Sequence, residues 1–180
     1  LQEWFSLEHC SKSAAQFDFE KLKWINNHYL RLLDGQELAP MVAPRVREEG
    51  FSVASGPPLA AVCELLKDRA QTLNELAESV AMFYMEPPDV SEALAEQLSP
   101  PVRAALTALG ASLPADWNAS ALALALKGVV SASGLKMPQI AMPLRLILMG
   151  RTDTPSIDKV MAVLGRDCVT QRLGAHLGAP

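Results

Sequence analysis

The chain has 180 residues, 49% of them hydrophobic and 20% charged, a balance that excludes a disordered tail and lets roughly 70% of the unfolded surface be buried without staples. No apolar run approaches the roughly 20 residues that cross a bilayer, and no secretory leader pattern opens the chain. The net charge of −4 argues against a uniformly basic nucleic-acid binder, yet residues 1–100 hold 8 Lys/Arg against 16 Asp/Glu while residues 101–180 hold 8 against 4, a split compatible with a polyanion touching chiefly the second half.

Apolar spacing is helical nearly throughout, with no sustained alternation of the strand type. Leu22, Ile25, Tyr29 and Leu32 predict one buried face of a helix over 18–33, stopped by Asp34-Gly35. Leu38, Met41, Val42 and Val46 continue the pattern to Gly50, with Pro40 and Pro44 expected to kink or shorten that helix. Pro57-Pro58 suits a helix start, with Leu59, Val62, Cys63 and Leu66 facing inward. "TLNE" at 72–75 predicts a reciprocal capping box between Thr72 and Glu75, followed by a stripe of Leu73, Leu76, Val80, Phe83 and Tyr84.

"EPPD" at 86–89 is the expected boundary, near the change of charge balance. Beyond it helices are predicted near 90–98, 101–109, 118–132, 137–149, 155–164 and 166–177. Gly110, Gly134, Gly150 and Gly165 stand as stops, and Thr154-Pro155 as a cap with proline at the first helical position. The expected architecture is all-α, in two helical lobes with short connections.

The motifs of common enzymes are missing from this sequence. There is no phosphate-binding glycine loop, no HExxH and no GxSxG. His9, His28 and His176 lack partners at metal spacing, and Cys10, Cys63 and Cys168 are odd in number and far apart, so neither a metal clip nor a disulfide framework is expected and a reduced, cytoplasmic protein is. Ser11-Lys12-Ser13 reads as a turn. The chain opens on Leu1 rather than Met, which suggests a piece of something longer.

Taken together, "LEHCSKSAAQFDFEKLKWINNHYLR", "LLKDRAQTLNELAES" and "MPQIAMPLRLILMGRTDTPSIDKVMAVLGRD" resemble the C-terminal portion of a bacterial glutamyl-tRNA synthetase, collinearly over nearly all the chain. The resemblance implies an all-helical, two-lobed anticodon-binding cage: 1–34 would end the stem-contact region, 35–88 form the first lobe and 89–180 the second. It implies a longer parent, a class I ligase that uses ATP and Mg²⁺ to attach glutamate to tRNA, with no cofactor and no catalytic residue in this part. The implied partner is tRNA(Glu), not DNA or a membrane, and the implied state is a monomer.

On that resemblance Arg69 matches the position that reads the third anticodon base, C in glutamate tRNA and G in glutamine tRNA. A guanidinium offers donors only, and the edge of C presents acceptors at O2 and N3, whereas G presents N1–H and N2–H donors. Spacing alone favours a solvated helix arginine paired with Asp68 or Glu64, and it is the resemblance that turns Arg69 toward the base. Arg145, Thr154, Pro155 and Ile157 match positions that enclose the first two anticodon bases. Thr154-Pro155 would leave free amides at a helix start, and Ile157, where the family has had Leu, would offer an apolar surface to a splayed base or be core.

Lys21, Trp24, Asn27 and Arg31 lie off the apolar stripe of the first helix and suit sugar and phosphate contacts along an RNA stem. Trp24 could instead be a wedge between domains. Lys136 and Arg151 could add phosphate contacts. The rival readings are a helical protein-interaction module without RNA binding and a non-discriminating synthetase that also charges glutamine tRNA.

Overall fold

The structure, a computed structural model, describes residues 16–54, 56–87 and 89–177. Cys10, His9 and the turn expected at Ser11-Lys12-Ser13 lie outside the described residues. Among those described, every regular element is helical: α1 (Phe19–Leu32), α2 (Gly35–Glu48), α3 (Leu59–Leu66), a 3₁₀ turn (Lys67–Arg69), α4 (Leu73–Ala81), α5 (Ser91–Gln97), α6 (Pro100–Ala111), α7 (Ala119–Ser133), α8 (Met137–Met149), α9 (Ile157–Leu164) and α10 (Arg166–Leu177). None is long and apolar enough to cross a membrane.

Helix starts follow side-chain chemistry. Asp18 caps α1 by accepting from the Lys21 amide, Asn118 caps α7 by accepting from the Ala121 amide, and Asp34 and Glu37 form a reciprocal capping box on α2 that the sequence reading missed. At α4 the expected box is half present. The Glu75 amide donates to Thr72 Oγ1 at 3.2 Å, but the Glu75 carboxylate reaches one residue further back and accepts from the Gln71 amide. Gly134 and Gly150 end α7 and α8 in the left-handed conformation, at φ 70° and 67°, where a Cβ would be strained. Gly110, expected as a stop, lies inside α6, which runs on to Ala111.

Pro40 and Pro44 do not break α2, which spans both in one 14-residue helix. The two prolines sit one turn apart on its exposed side, so the carbonyls they leave unpaired, those of Gln36 and Pro40, meet water rather than core.

α2, α3 and α4 pack on one another, α6 to α10 do likewise, α5 leans on α8, and α3 touches α9. Their buried residues form one connected core running from Leu30 to Leu173, with Leu38, Leu76, Leu106, Ile140, Ile147 and Met161 fully enclosed. Each such side chain contributes roughly 1.5–3 kcal/mol by leaving water.

The buried face of α1 is not the predicted one. Leu22, Tyr29 and Leu32 are exposed and Ile25 is half-buried, whereas Leu30 is buried. Met41 of α2 is likewise exposed. The reason is that α1 docks by its C-terminal half on the turn at 67–69, so the face that meets this turn, not the most apolar stripe, is covered.

Candidate nucleic-acid interface

The residues around Arg69 explain why its turn holds one shape. α3 ends at Leu66 and the chain makes a single 3₁₀ turn before Ala70 takes an extended conformation. Lys67 Nζ donates to the Leu33 carbonyl at 2.9 Å and pairs with Glu64 at 2.8 Å. Asp68 accepts from Arg31 Nε at 2.9 Å, and the Ala70 carbonyl accepts from Asn27 Nδ2 at 2.7 Å. The partners that spacing offered to Arg69, Asp68 and Glu64, are thus engaged elsewhere. Arg69 instead reaches across the molecule, and its Nη2 donates to Asp153 Oδ1 at 2.6 Å, a bond between residues 84 positions apart.

Asp153 sits in the connector between α8 and α9. Its other oxygen faces Arg151 Nη2 at 3.9 Å, and Arg151 also contacts the Met82 sulfur. Arg145, half-buried on α8, donates from Nε to Thr154 Oγ1 at 3.0 Å, and that hydroxyl donates in turn to the Pro155 carbonyl at 3.1 Å. Thr154 therefore braces the connector rather than opening a helix. α9 begins two residues later than expected, at Ile157 after Ser156, whose hydroxyl turns to Asp158. The free amides expected after Thr154-Pro155 are displaced to that start, beside an acidic side chain.

These pieces meet at a cleft of about 180 Å³ lined by Leu66, Arg69, Phe83, Arg151, Asp153 and Pro155, with Ser79, Met82, Met149 and Thr154 completing it. Its apolar lining comes from Leu66, Phe83 and Met149, which are core residues, and its rim carries two guanidinium groups and one carboxylate. A floor of this kind accepts a flat apolar face, and the rim supplies donors for edges and phosphate oxygens.

The structure thus brings Arg69, Arg145, Arg151, Thr154 and Pro155 to one place. It does not bring Ile157 there as a surface: at 5% exposure that side chain is core, the second of the two roles open to it. Lys136 stands exposed at the start of α8, at the other end of that helix from Arg145. Of the α1 set, Lys21 and Trp24 are exposed, the indole at 67% and stacked on His28 at 5.8 Å, so Trp24 wedges into nothing among the described residues. Asn27 and Arg31 each give one donor to the turn at 67–70, Asn27 from Nδ2 and Arg31 from Nε, and the Arg31 side chain stays more than half exposed. Sequence reasoning missed Asp153. Its signal was present, as one of only four carboxylates after residue 100 and the one set between Arg151 and Thr154.

The family model described as "Anticodon binding domain" matches residues 37–177, which include both the turn and the connector. The chain belongs to this anticodon-binding domain family. Among curated proteins it is similar to the glutamate–tRNA ligases of Burkholderia mallei and Burkholderia multivorans, each 48% identical over 179 residues that cover 97% of this chain and 38% of the relative. The chain therefore spans well under half the length of these relatives, matching their C-terminal part. Among solved structures, a glutamate tRNA ligase from Elizabethkingia meningosepticum in complex with its amino acid superposes with a TM-score of 0.80 at 24% identity, over 96% of this chain and 35% of that one. The glutamate–tRNA synthetase of Elizabethkingia anophelis does so at 0.79 and 24%, over 95% and 34%. These neighbours share the fold.

Within the anticodon-binding domain the family match begins in α2, so α1 stands outside it while gripping its Arg69 turn. Among the described residues no three His, Cys, Asp or Glu side chains come together as a metal would require.

Proposed function

We propose that this chain recognises the anticodon of tRNA(Glu) for a longer, class I glutamate–tRNA ligase, and that Arg69 reads the third anticodon base. The observation that carries the proposal is the convergence of Arg69 with Arg151, Thr154 and Pro155 around one cleft, with Arg145 bonded to Thr154 behind it, from two stretches of sequence some 80 residues apart. In this reading the two stretches supply different bases' contacts, with 35–88 and 89–180 as the two lobes of the cage. The remaining length of the ligase would bind ATP, Mg²⁺ and glutamate, and this part supplies recognition without chemistry of its own. The chain would act as a cytoplasmic monomer.

The donor-only guanidinium makes the preference directional. C offers acceptors to Arg69 and G faces it with donors, a mismatch that typically costs about 1–3 kcal/mol. The test is binding of the chain to glutamate tRNA and to a copy with the third anticodon base changed from C to G, each against wild type and Arg69→Gln. Wild type should prefer C by about tenfold and the variant, whose amide both donates and accepts, should lose that preference. Equal binding of both RNAs by wild type would sink the assignment. A protein-interaction module would show no RNA affinity that falls steeply with salt.

A further inference from the structure

α1 carries a basic, amide-bearing face whose two inner members are engaged with protein. Asn27 and Arg31 lie four residues apart on one side of the helix, about 6 Å along its axis. Their partners, the Ala70 carbonyl and the Asp68 carboxylate, are the residues immediately after and immediately before Arg69. The backbone that carries Arg69 is therefore pinned on both sides by one helix. A lone 3₁₀ turn has poorer hydrogen-bond geometry than an α-helix, so outside bonds are what fix its orientation. On the opposite side the Arg69 side chain spans to Asp153, and its reach depends on where the turn is held.

We infer that Asn27, Arg31 and Asp68 are positioning residues for Arg69, and that α1 sets the aim of the anticodon-reading guanidinium. The inference rests on the reading of Arg69 proposed above. The Arg31–Asp68 pair is more than half exposed on both sides, and such pairs contribute little to stability. Its loss moves the turn without unfolding the core. α1 is thereby a mechanical link: whatever displaces this helix displaces the discriminating side chain.

The experiment measures the ratio of affinities for glutamate tRNA and its third-base C-to-G copy. It uses the wild-type chain, Asn27→Ala, Arg31→Asp, Asp68→Arg, the double swap Arg31→Asp with Asp68→Arg, and Arg69→Gln. The two RNAs carry equal charge, so the ratio cancels the general effect of altered protein charge on RNA binding. Urea midpoints report folding. Each single variant should lower the ratio by about three- to tenfold, Arg31→Asp and Asp68→Arg at a nearly unchanged urea midpoint and Asn27→Ala at one lowered by the unpaired Ala70 carbonyl, and the double swap should restore the ratio by re-forming the pair. Arg69→Gln separates the two ideas. If it leaves the ratio unchanged, the reading of Arg69 fails and the inference with it. If it abolishes the preference while Asn27→Ala, Arg31→Asp and Asp68→Arg keep it, or if the swap fails to restore it, only the inference is overturned.

Discussion

Arg69 and Asp153 form a pair whose meaning depends on the neighbours. Two guanidinium groups face one carboxylate, and all three are substantially solvated, so Coulomb attraction here is weak and screened by salt. On the proposed reading, an RNA phosphate or base would compete with Asp153 for the same donors. Asp153→Asn keeps an oxygen that accepts from Arg69 and removes the competing charge. It should tighten RNA binding generally and steepen the plot of log affinity against log salt by about 0.7, the increment for one more neutralised phosphate on a single strand. A salt titration of wild type and variant on the same RNA decides this, and an unchanged slope would mean that Asp153 does not compete with RNA.

At the scale of elements, the approach of α2 to α3 depends on a missing side chain. Gly35 opens α2 with its amide donating to Glu64 Oε2 at 2.9 Å, and a Cβ added there would stand 2.1 Å from the Ala60 carbonyl oxygen. That neighbour is α3 backbone and cannot swing aside. Gly35→Ala should therefore destabilise the fold by about 2–4 kcal/mol, through displaced helices. Gly128, inside α7, has nothing within 4 Å of its Cβ position, and Gly128→Ala should stabilise by about 0.5–1 kcal/mol through helix propensity. Urea denaturation of the two variants checks the contrast, since composition alone treats them alike. The start at Thr72 and the stops at Gly134 and Gly150 were legible because caps are local and act within a turn of themselves. The tolerance of Pro40 and Pro44 was not, because it depends on which side of α2 faces water.

At the scale of the whole molecule a single core joins the described helices from the end of α1 to α10, and two titratable groups in or against it, Cys63 and Tyr84, make the fold sensitive to alkali. Burial pushes the Cys63 thiol from its ordinary 9.0 up to about 11, with Glu64 adding to the rise, and burial next to Cys63 pushes Tyr84, which donates to the Pro57 carbonyl, from 10.0 up to about 12. Both are neutral acids whose folded state resists ionisation. Their contribution to stability is complete below the unfolded values and is lost as pH rises through the folded ones. Urea midpoints should therefore fall between about pH 9 and pH 12, and Cys63→Ala should flatten the first part of that fall. Parallel curves for variant and wild type would rule out Cys63 as a cause.

The sequence by itself determined that the chain is helical and where most helices begin and end, while the resemblance only named Arg69 and the stretch from Arg145 to Pro155 as candidate anticodon contacts. Helical period, caps and turn glycines are properties of neighbouring residues, and they survive being read in one dimension. Only the tertiary structure decided which face of α1 is covered, that Ile157 is core, that Asn27 and Arg31 hold a turn, and that Arg69 meets Asp153. Each of these depends on the surface that another helix presents from dozens of positions away, and periodicity carries no record of that surface.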